Sequence, residues 1–328
     1  GKGAKALAGA LFKNESLLSI KLAGNRICGA GLKALARALK KNASLTSIDL
    51  CSNHMGDKDG KSLADAFGTN KSLTSVDLHG NSIGDEGCKA LASGLGDNRS
   101  LKTIDLHRNK IGDEGSEALA CALKKNTMLL SIDLSWNVIG AQGGKALAGA
   151  LEGKSTALTC INLTRNSLGA GGAKALACAL LKNETLTSID LNHCDVRIEG
   201  LKAICYALQT NKTLTSIDLR FIGNVSDSIF SDESVKERDI LRNIDAALKR
   251  NKGRTGVKAV NLSDSMTAGS KEVHGVNDEA RGRTIAALHG VNMQQVYDGF
   301  AALDQVEASV VADQVAFQKR HIEREKML

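Results

Sequence analysis

The sequence predicts an α/β solenoid: a right-handed horseshoe with an inner parallel sheet and outer helices, followed by a C-terminal helical extension. Three observations carry this. An apolar motif recurs in phase over the first two thirds of the chain. Proline is absent from the 328 residues, where average usage would give roughly 16. Glycine, by contrast, reaches 33. Such a chain follows one backbone plan copied many times.

The motif is Leu45-Thr-Ser-Ile48-Asp-Leu50-Cys-Ser-Asn53. Its leading residue recurs as Leu17, Leu45, Leu73, Leu101, Leu129, Leu158, Leu186 and Leu214, at intervals of 28 residues with a single 29 between Leu129 and Leu158. The alternation of Ile48 and Leu50 with polar neighbours has the period of a short strand with one buried face. The asparagine that follows (Asn25, Asn53, Asn81, Asn109, Asn137, Asn166) suits a turn, because its carboxamide can bond backbone groups. Cys194 replaces it in the seventh copy and Ile222 in the eighth. Next comes Gly84-Asp85-Glu86-Gly87, with Asp85 expected as a helix N-cap. Lys89 to Leu95 then reads as an amphipathic helix whose alanines let it lie close to the strands. A unit of this kind buries its apolar stripe only against its neighbours, so the copies must stack.

Three regions follow from the spacing. Residues 1–224 hold the repeats. They open at Gly1-Lys-Gly-Ala-Lys-Ala-Leu7, which aligns with the helical half of a repeat, so the chain is expected to be part of a longer protein. Residues 225–270 are expected to contain a polar loop insertion from Ser226 to Lys236, a helix from Asp239 to Lys249, and a degenerate last repeat at Val257, Val260 and Leu262. Residues 271–328 are expected to form a linker and a helical region. In that region Ile285, Leu288, Val296, Phe300, Leu303, Val306 and Val310 recur near a period of 3.5, although Gly290 and Gly299 interrupt it. This last region has two readings: a cap over the end of the solenoid, or an arm forming a coiled coil with a partner.

The pattern L-x-x-I-x-L-x-x-N/C-x-I-G resembles the leucine-rich repeat. The 28-residue period with a helical second half is similar to the ribonuclease-inhibitor subfamily. The resemblance covers residues 1 to about 224. It implies the horseshoe fold and a binding role, as in the ligand-sensing repeats of NOD-like receptors and the repeat subunits of ciliary assemblies such as the dynein regulatory complex. Ribonuclease inhibitor and the GTPase-activating protein for Ran share the architecture, which keeps a regulatory role open as the alternative.

Several functions are set aside. No apolar run approaches the roughly 20 residues of a membrane helix. The net charge of +7 is mild for this length and does not point to specific nucleic acid. Gly149-Ala-Leu-Glu-Gly153-Lys154-Ser155 has three residues between its glycines where a phosphate-binding loop needs four. Six of the eight Asn-x-Ser/Thr triplets occupy one repeat position and follow from the consensus. The eight cysteines include no C-x-x-C pair, and Cys121 and Cys178 lie two units apart, on the order of 10 Å. All are therefore expected to be reduced, in an intracellular and cytoplasmic protein, with cytoskeletal or ciliary placement as the finer expectation.

Strand positions two apart share a face. The concave face is therefore expected to carry Asp49, Asp77, Asp105 and Asp133 in a row. Beside it run Cys51, His79, His107 and Ser135, and then Ser52, Gly80, Arg108, Trp136, Arg165, His193 and Phe221. Trp136, the single tryptophan, is expected to sit exposed between Arg108 and Arg165; Trp and Arg are enriched at interface hot spots. The expected partner-binding set is Asp49, Asp77, Asp105, Asp133, His107, Arg108, Trp136, Arg165, His193, Arg220 and Phe221. Cys51, His79 and His107 are the one place where a metal ion or a Cys–His pair could form, but an open sheet gives no pocket to fix ligands. No catalytic residue, metal or cofactor is expected. Lysines recurring on the helices (Lys33, Lys61, Lys89, Lys145, Lys174) predict a basic convex face. The function expected is that of a non-enzymatic scaffold or structural subunit in a multi-protein complex. The alternative is a regulator of a soluble enzyme or GTPase.

Overall fold

The computed structural model describes residues 1–153, 156–220 and 232–255. These belong to one compact unit, Gly1–Val260, and the second unit, Asn261–Leu328, lies outside the described residues. Phe221, the degenerate last repeat and the C-terminal helical region fall outside them as well.

Among the described residues, eight three-residue strands alternate with helices. The strands are β1 (Ser19–Lys21), β2 (Ser47–Asp49), β3 (Ser75–Asp77), β4 (Thr103–Asp105), β5 (Ser131–Asp133), β6 (Cys160–Asn162), β7 (Ser188–Asp190) and β8 (Ser216–Asp218). The helices are α1 (Lys2–Lys13), α2 (Gly29–Lys41), α3 (Asp57–Thr69), α4 (Asp85–Asp97), α5 (Asp113–Lys125), α6 (Ala141–Leu151), α7 (Gly169–Leu180), α8 (Arg197–Thr210) and α9 (Asp232–Thr255). All strands pair in parallel, in the order of the sequence. The fold is the predicted α/β solenoid. The central strand residues, from Ile48 and Val76 to Ile217, are buried, and so are the leucines flanking them, such as Leu45 and Leu50. They form one continuous core with the helix residues Leu35, Leu63, Leu91, Leu119, Leu147, Leu176 and Leu201. The extra residue between Leu129 and Leu158 leaves the register intact, since Ser131 still pairs with Cys160.

Two ladders of asparagine join one repeat to the next. In the first, the Asn53 side chain accepts from the amides of Asn25 and Ile27 and donates to the carbonyls of Leu22, Leu50 and Cys51. Asn81, Asn109, Asn137 and Asn166 repeat the pattern. In the second, Asn70 at the end of α3 donates to the carbonyls of Leu39 and Asn42, one repeat back, and accepts from its own Leu73 amide. Asn42, Asn98, Asn183 and Asn211 do the same. These are sequon asparagines, and the ladder buries them.

Two expectations are corrected. Asp85 does not cap its own helix, whose N-cap is Gly84. Its carboxylate accepts from the Gly112 and Gly115 amides, at 2.7 and 2.9 Å, at the start of α5. Asp57 and Asp113 serve α4 and α6 in the same way. Each aspartate thus neutralises the exposed amides and positive dipole end of the following helix. The second correction concerns Ser226 to Lys236. Helix α9 begins at Asp232, inside this supposed loop. Glu233, Lys236, Glu237 and Arg238 are polar, but they favour helix, and polarity alone conceals that. Helix α9 packs on α8, burying Ile244, Ala247 and Leu248. Its Asn251 continues the second ladder with bonds to the Asn211 and Leu214 carbonyls.

Candidate protein-interaction surface

The strand register sets Asp49, Asp77, Asp105 and Asp133 side by side, followed by Asn162, Asp190 and Asp218. Each also has a local duty. Its side-chain oxygen accepts the backbone amide two residues on: Cys51 for Asp49, His79 for Asp77, His107 for Asp105 and Ser135 for Asp133, at 2.8–3.0 Å. This bond fixes the turn leaving the strand, which explains why like charges are tolerated at this spacing.

Neighbours temper the row's charge. His79 Nδ1 lies 2.8 Å from Asp77, and His107 Nδ1 lies 2.9 Å from Asp105. The Asn162 amide donates to Asp133 at 2.8 Å. Arg220 is held by Asp218 through three contacts of 2.6–3.1 Å. Burial pushes the Asp133 carboxyl up and the charge of Asp105 adds to this, against the bonds from Ser135. Asp105 moves down, because the bond to His107 overcomes its burial. Burial pulls His79 down, but bonds to Asp77 and Cys51 outweigh it and carry its imidazole up to about 10. The rings of His79 and His107 stack at 4.4 Å, within 9° of parallel.

The shift at His79 has a sign that can be tested. A histidine raised in the folded state stabilises fully below its ordinary value of 6.5, and the contribution is lost as pH rises through about 10. Solvent reaches both partners, so roughly 2 kcal/mol of a larger formal shift should remain. With chelator present, the wild type should lose that much more unfolding free energy between pH 6 and 10 than His79→Gln does in parallel urea titrations. Equal losses in the two proteins would contradict the assignment.

The next column is held in left-handed backbone. Ser52, Arg108, Trp136, Arg165 and His193 have φ of 51–55°, where the equivalent positions of other repeats use Gly24 and Gly80. Their amides extend the ladder beyond the strands: Arg108 donates to Ser135, Trp136 to Thr164 and Arg165 to Asn192, at 2.8–2.9 Å. These bonds fix three side chains in succession along one rim. The Arg108 guanidinium lies 4.9 Å from the Trp136 ring centroid and that of Arg165 lies 3.9 Å from it. Trp136 is half-buried between them rather than exposed. His193 follows one repeat further on, where burial, then Arg165 and Arg220, hold its imidazole below the ordinary value.

The structure therefore brings together His107, Arg108, Trp136 and Arg165. Asp49 lies two repeats before His107, and Arg220 is occupied by Asp218. His79, not among the expected contacts, joins the cluster through His107; its signal in the sequence is its 28-residue separation from that histidine. The left-handed backbone of the column had no such signal. On the helices, part of the lysine charge is met within the array: Lys40 pairs with Asp65, Lys89 with Glu86 and Glu114, and Lys182 with Glu152. Among the described residues, no helix is long and apolar enough to cross a membrane.

The repeated strand–turn–helix unit, its parallel register and its asparagine ladders define a leucine-rich-repeat solenoid. The sequence comparisons agree. A leucine-rich-repeat model matches residues 13–36, 154–177 and 182–205, and the model of the TMOD/LMOD leucine-rich domain matches residues 32–143. The chain thus carries leucine-rich repeats, and their helical second halves are consistent with the ribonuclease-inhibitor-like kind. No curated protein matches it. Among solved structures, leiomodin-1 actin-binding site 2 is 20% identical, with 46% of this chain and 88% of that one covered, at a TM-score of 0.38. The tropomodulin C-terminal domain of Caenorhabditis elegans is 9% identical, covering 77% and 95%, at a TM-score of 0.25. LegL7 from Legionella pneumophila is 17% identical, covering 74% and 75%, at a TM-score of 0.45. Stacked repeats of this kind present extended surfaces to protein partners.

Proposed function

We propose that this chain is a non-enzymatic scaffold subunit that holds an acidic segment of a protein partner along the rim formed by Arg108, Trp136 and Arg165. The observation that carries the reading is the placing of a tryptophan and two arginines at consecutive left-handed positions. A bulky residue at positive φ costs on the order of 1 kcal/mol, and such strain concentrates where side chains must be aimed. The tryptophan keeps the flanking guanidinium groups from wandering, and a guanidinium matches a carboxylate with paired hydrogen bonds. The convex lysines, partly neutralised by acids of adjacent helices, are a weaker candidate. Regulation of a soluble enzyme or GTPase would use the same rim, and would be recognised by a change in that enzyme's rate on binding.

The test starts from crosslinking mass spectrometry of the native complex, which names the partner. Binding of that partner is then titrated against variants of equal stability. Trp136→Ala should weaken it by roughly 30- to 1000-fold, a loss of about 2–4 kcal/mol. Lys40→Ala, on the helical side, should leave it unchanged. The reverse pattern would move the site to the convex face. Filamentous actin belongs in the panel because the leiomodin-1 segment is an actin-binding site, although that likeness is one of fold alone.

A further inference from the structure

Beside the arginine–tryptophan rim lies a set of metal-ligating side chains. His79, Asp105 and His107 each offer a ligand atom, and these atoms all lie within 4.8 Å of one another. They come from the ends of β3 and β4, whose backbones are locked in register, so only side-chain rotation separates them from a common centre. The imidazoles stack with centroids 4.4 Å apart and planes within 9° of parallel, so they must tilt towards one another to share an ion. In each ring Nδ1 is engaged by a carboxylate oxygen, Asp77 for His79 and Asp105 for His107. Carboxylate–imidazole pairing of this kind orients metal-binding histidines elsewhere, and an ion bound here would displace a ring proton.

We propose that His79, His107 and Asp105 bind one divalent transition-metal ion, with zinc the best match. One nitrogen of each imidazole and one carboxylate oxygen of Asp105 supply three ligands, the His107–Asp105 hydrogen bond giving way to the ion, and the fourth position is left to solvent. Two imidazoles and one carboxylate suit zinc, cobalt or nickel, whereas calcium and magnesium require a shell of oxygens. Zinc–nitrogen bonds of about 2.0–2.1 Å place two ligands roughly 3.4 Å apart, so the ligand atoms, which lie within 4.8 Å of one another, must draw together by rotation of the side chains. Asp77 acts as a positioning residue that fixes the His79 ring. Cys51 and Asp77 form a second possible set with His79, since their ligand atoms also lie within 4.8 Å. Cys51 is buried in the adjacent repeat, and the proposal assigns it no bond to the ion.

The experiment uses the full chain stripped with chelator and titrated with zinc chloride by calorimetry, then with cobalt chloride by absorption spectroscopy. The expected result is a single equivalent of zinc, and a tetrahedral cobalt spectrum lacking the near-ultraviolet thiolate charge-transfer band. His107→Ala and His79→Gln should each weaken uptake at least tenfold, Asp77→Asn should weaken it less, and Cys51→Ala should leave it unchanged. Circular dichroism of each variant without metal separates loss of ligand from loss of fold. No zinc uptake, or uptake indifferent to His107→Ala, would overturn the proposal. So would a thiolate band that disappears in Cys51→Ala, which would place the ion in the other set.

Discussion

Replacing Asn81 with alanine should destabilise the protein by about 3–5 kcal/mol. The carboxamide is buried, at 7% exposure. Its oxygen accepts from the amides of Asn53 and Met55, each at 3.0 Å, and its nitrogen donates to the carbonyls of Leu50, Leu78 and His79 at 2.8–3.2 Å. Alanine leaves two amides and up to three carbonyls without partners where water cannot replace them, each costing about 1–3 kcal/mol, with relaxation recovering part of the sum. The seventh repeat supplies an internal comparison. There Cys194 fills the slot, and its thiol donates to Leu163 at 3.0 Å and more weakly to Asn192 at 3.6 Å. Asn81→Cys should therefore fall between wild type and Asn81→Ala in urea unfolding. A loss below 1 kcal/mol for the alanine variant would mean that the ladder does not hold the repeats together.

Substitution of glycine by alanine should change sign with position. Helices α3 and α4 approach so closely that a Cβ on Gly94 would fall against the carbonyl oxygen of Ala64, well inside van der Waals contact, with the Gly68 amide next at 3.2 Å. Neither neighbour is the end of a flexible side chain, so the helices must separate. Gly94→Ala is expected to cost about 2–4 kcal/mol, towards the upper part of the range for overpacking. Gly149 in α6 is exposed, and a methyl group added there would meet nothing within 4 Å. Gly149→Ala should stabilise by roughly 0.5–1 kcal/mol, because it removes freedom from the unfolded chain and favours helix. Thermal unfolding of the two variants tests this directly. If both shift the midpoint the same way, the close approach of α3 and α4 is not limiting.

The repeat was legible because its chemistry is periodic: Leu45, Ile48, Leu50 and Asn53 each return after one period, and burial of that stripe dictates stacking. What was not legible depends on which neighbour a side chain turns to. Asn53 could be read as a turn residue, yet nothing local says that its bonds reach back to Asn25 and Ile27. Asp85 has the right type and place for an N-cap, and only the stacking distance shows that its carboxylate meets the next helix. The column with Trp136 between Arg108 and Arg165 followed from strand alternation. Its left-handed backbone did not, since arginine and tryptophan have no preference for that region that would betray it. The pairing of each histidine with the aspartate two residues before it was likewise invisible until the turn was seen. The start of α9 was missed for a different reason, because charged helix formers look the same as a solvated loop when read by polarity.

The asparagine ladders make the molecule a one-dimensional lattice, with the repeat as its unit cell. A side chain at a given phase meets the same surroundings in each cell, so the chain serves as its own comparison set. Phases on which the lattice depends, such as those of Leu50 and Asn81, hold nearly the same residue throughout. The phases of His79 and Trp136 do not: from cell to cell the first reads alanine, cysteine, histidine, histidine, serine, threonine, asparagine and arginine, and the second glycine, serine, glycine, arginine, tryptophan, arginine, histidine and phenylalanine. Along the rim, a change of residue leaves the stacking untouched. Whatever identity this solenoid presents to another molecule is written in those departures from the repeat, and the periodic remainder serves to hold them at fixed intervals.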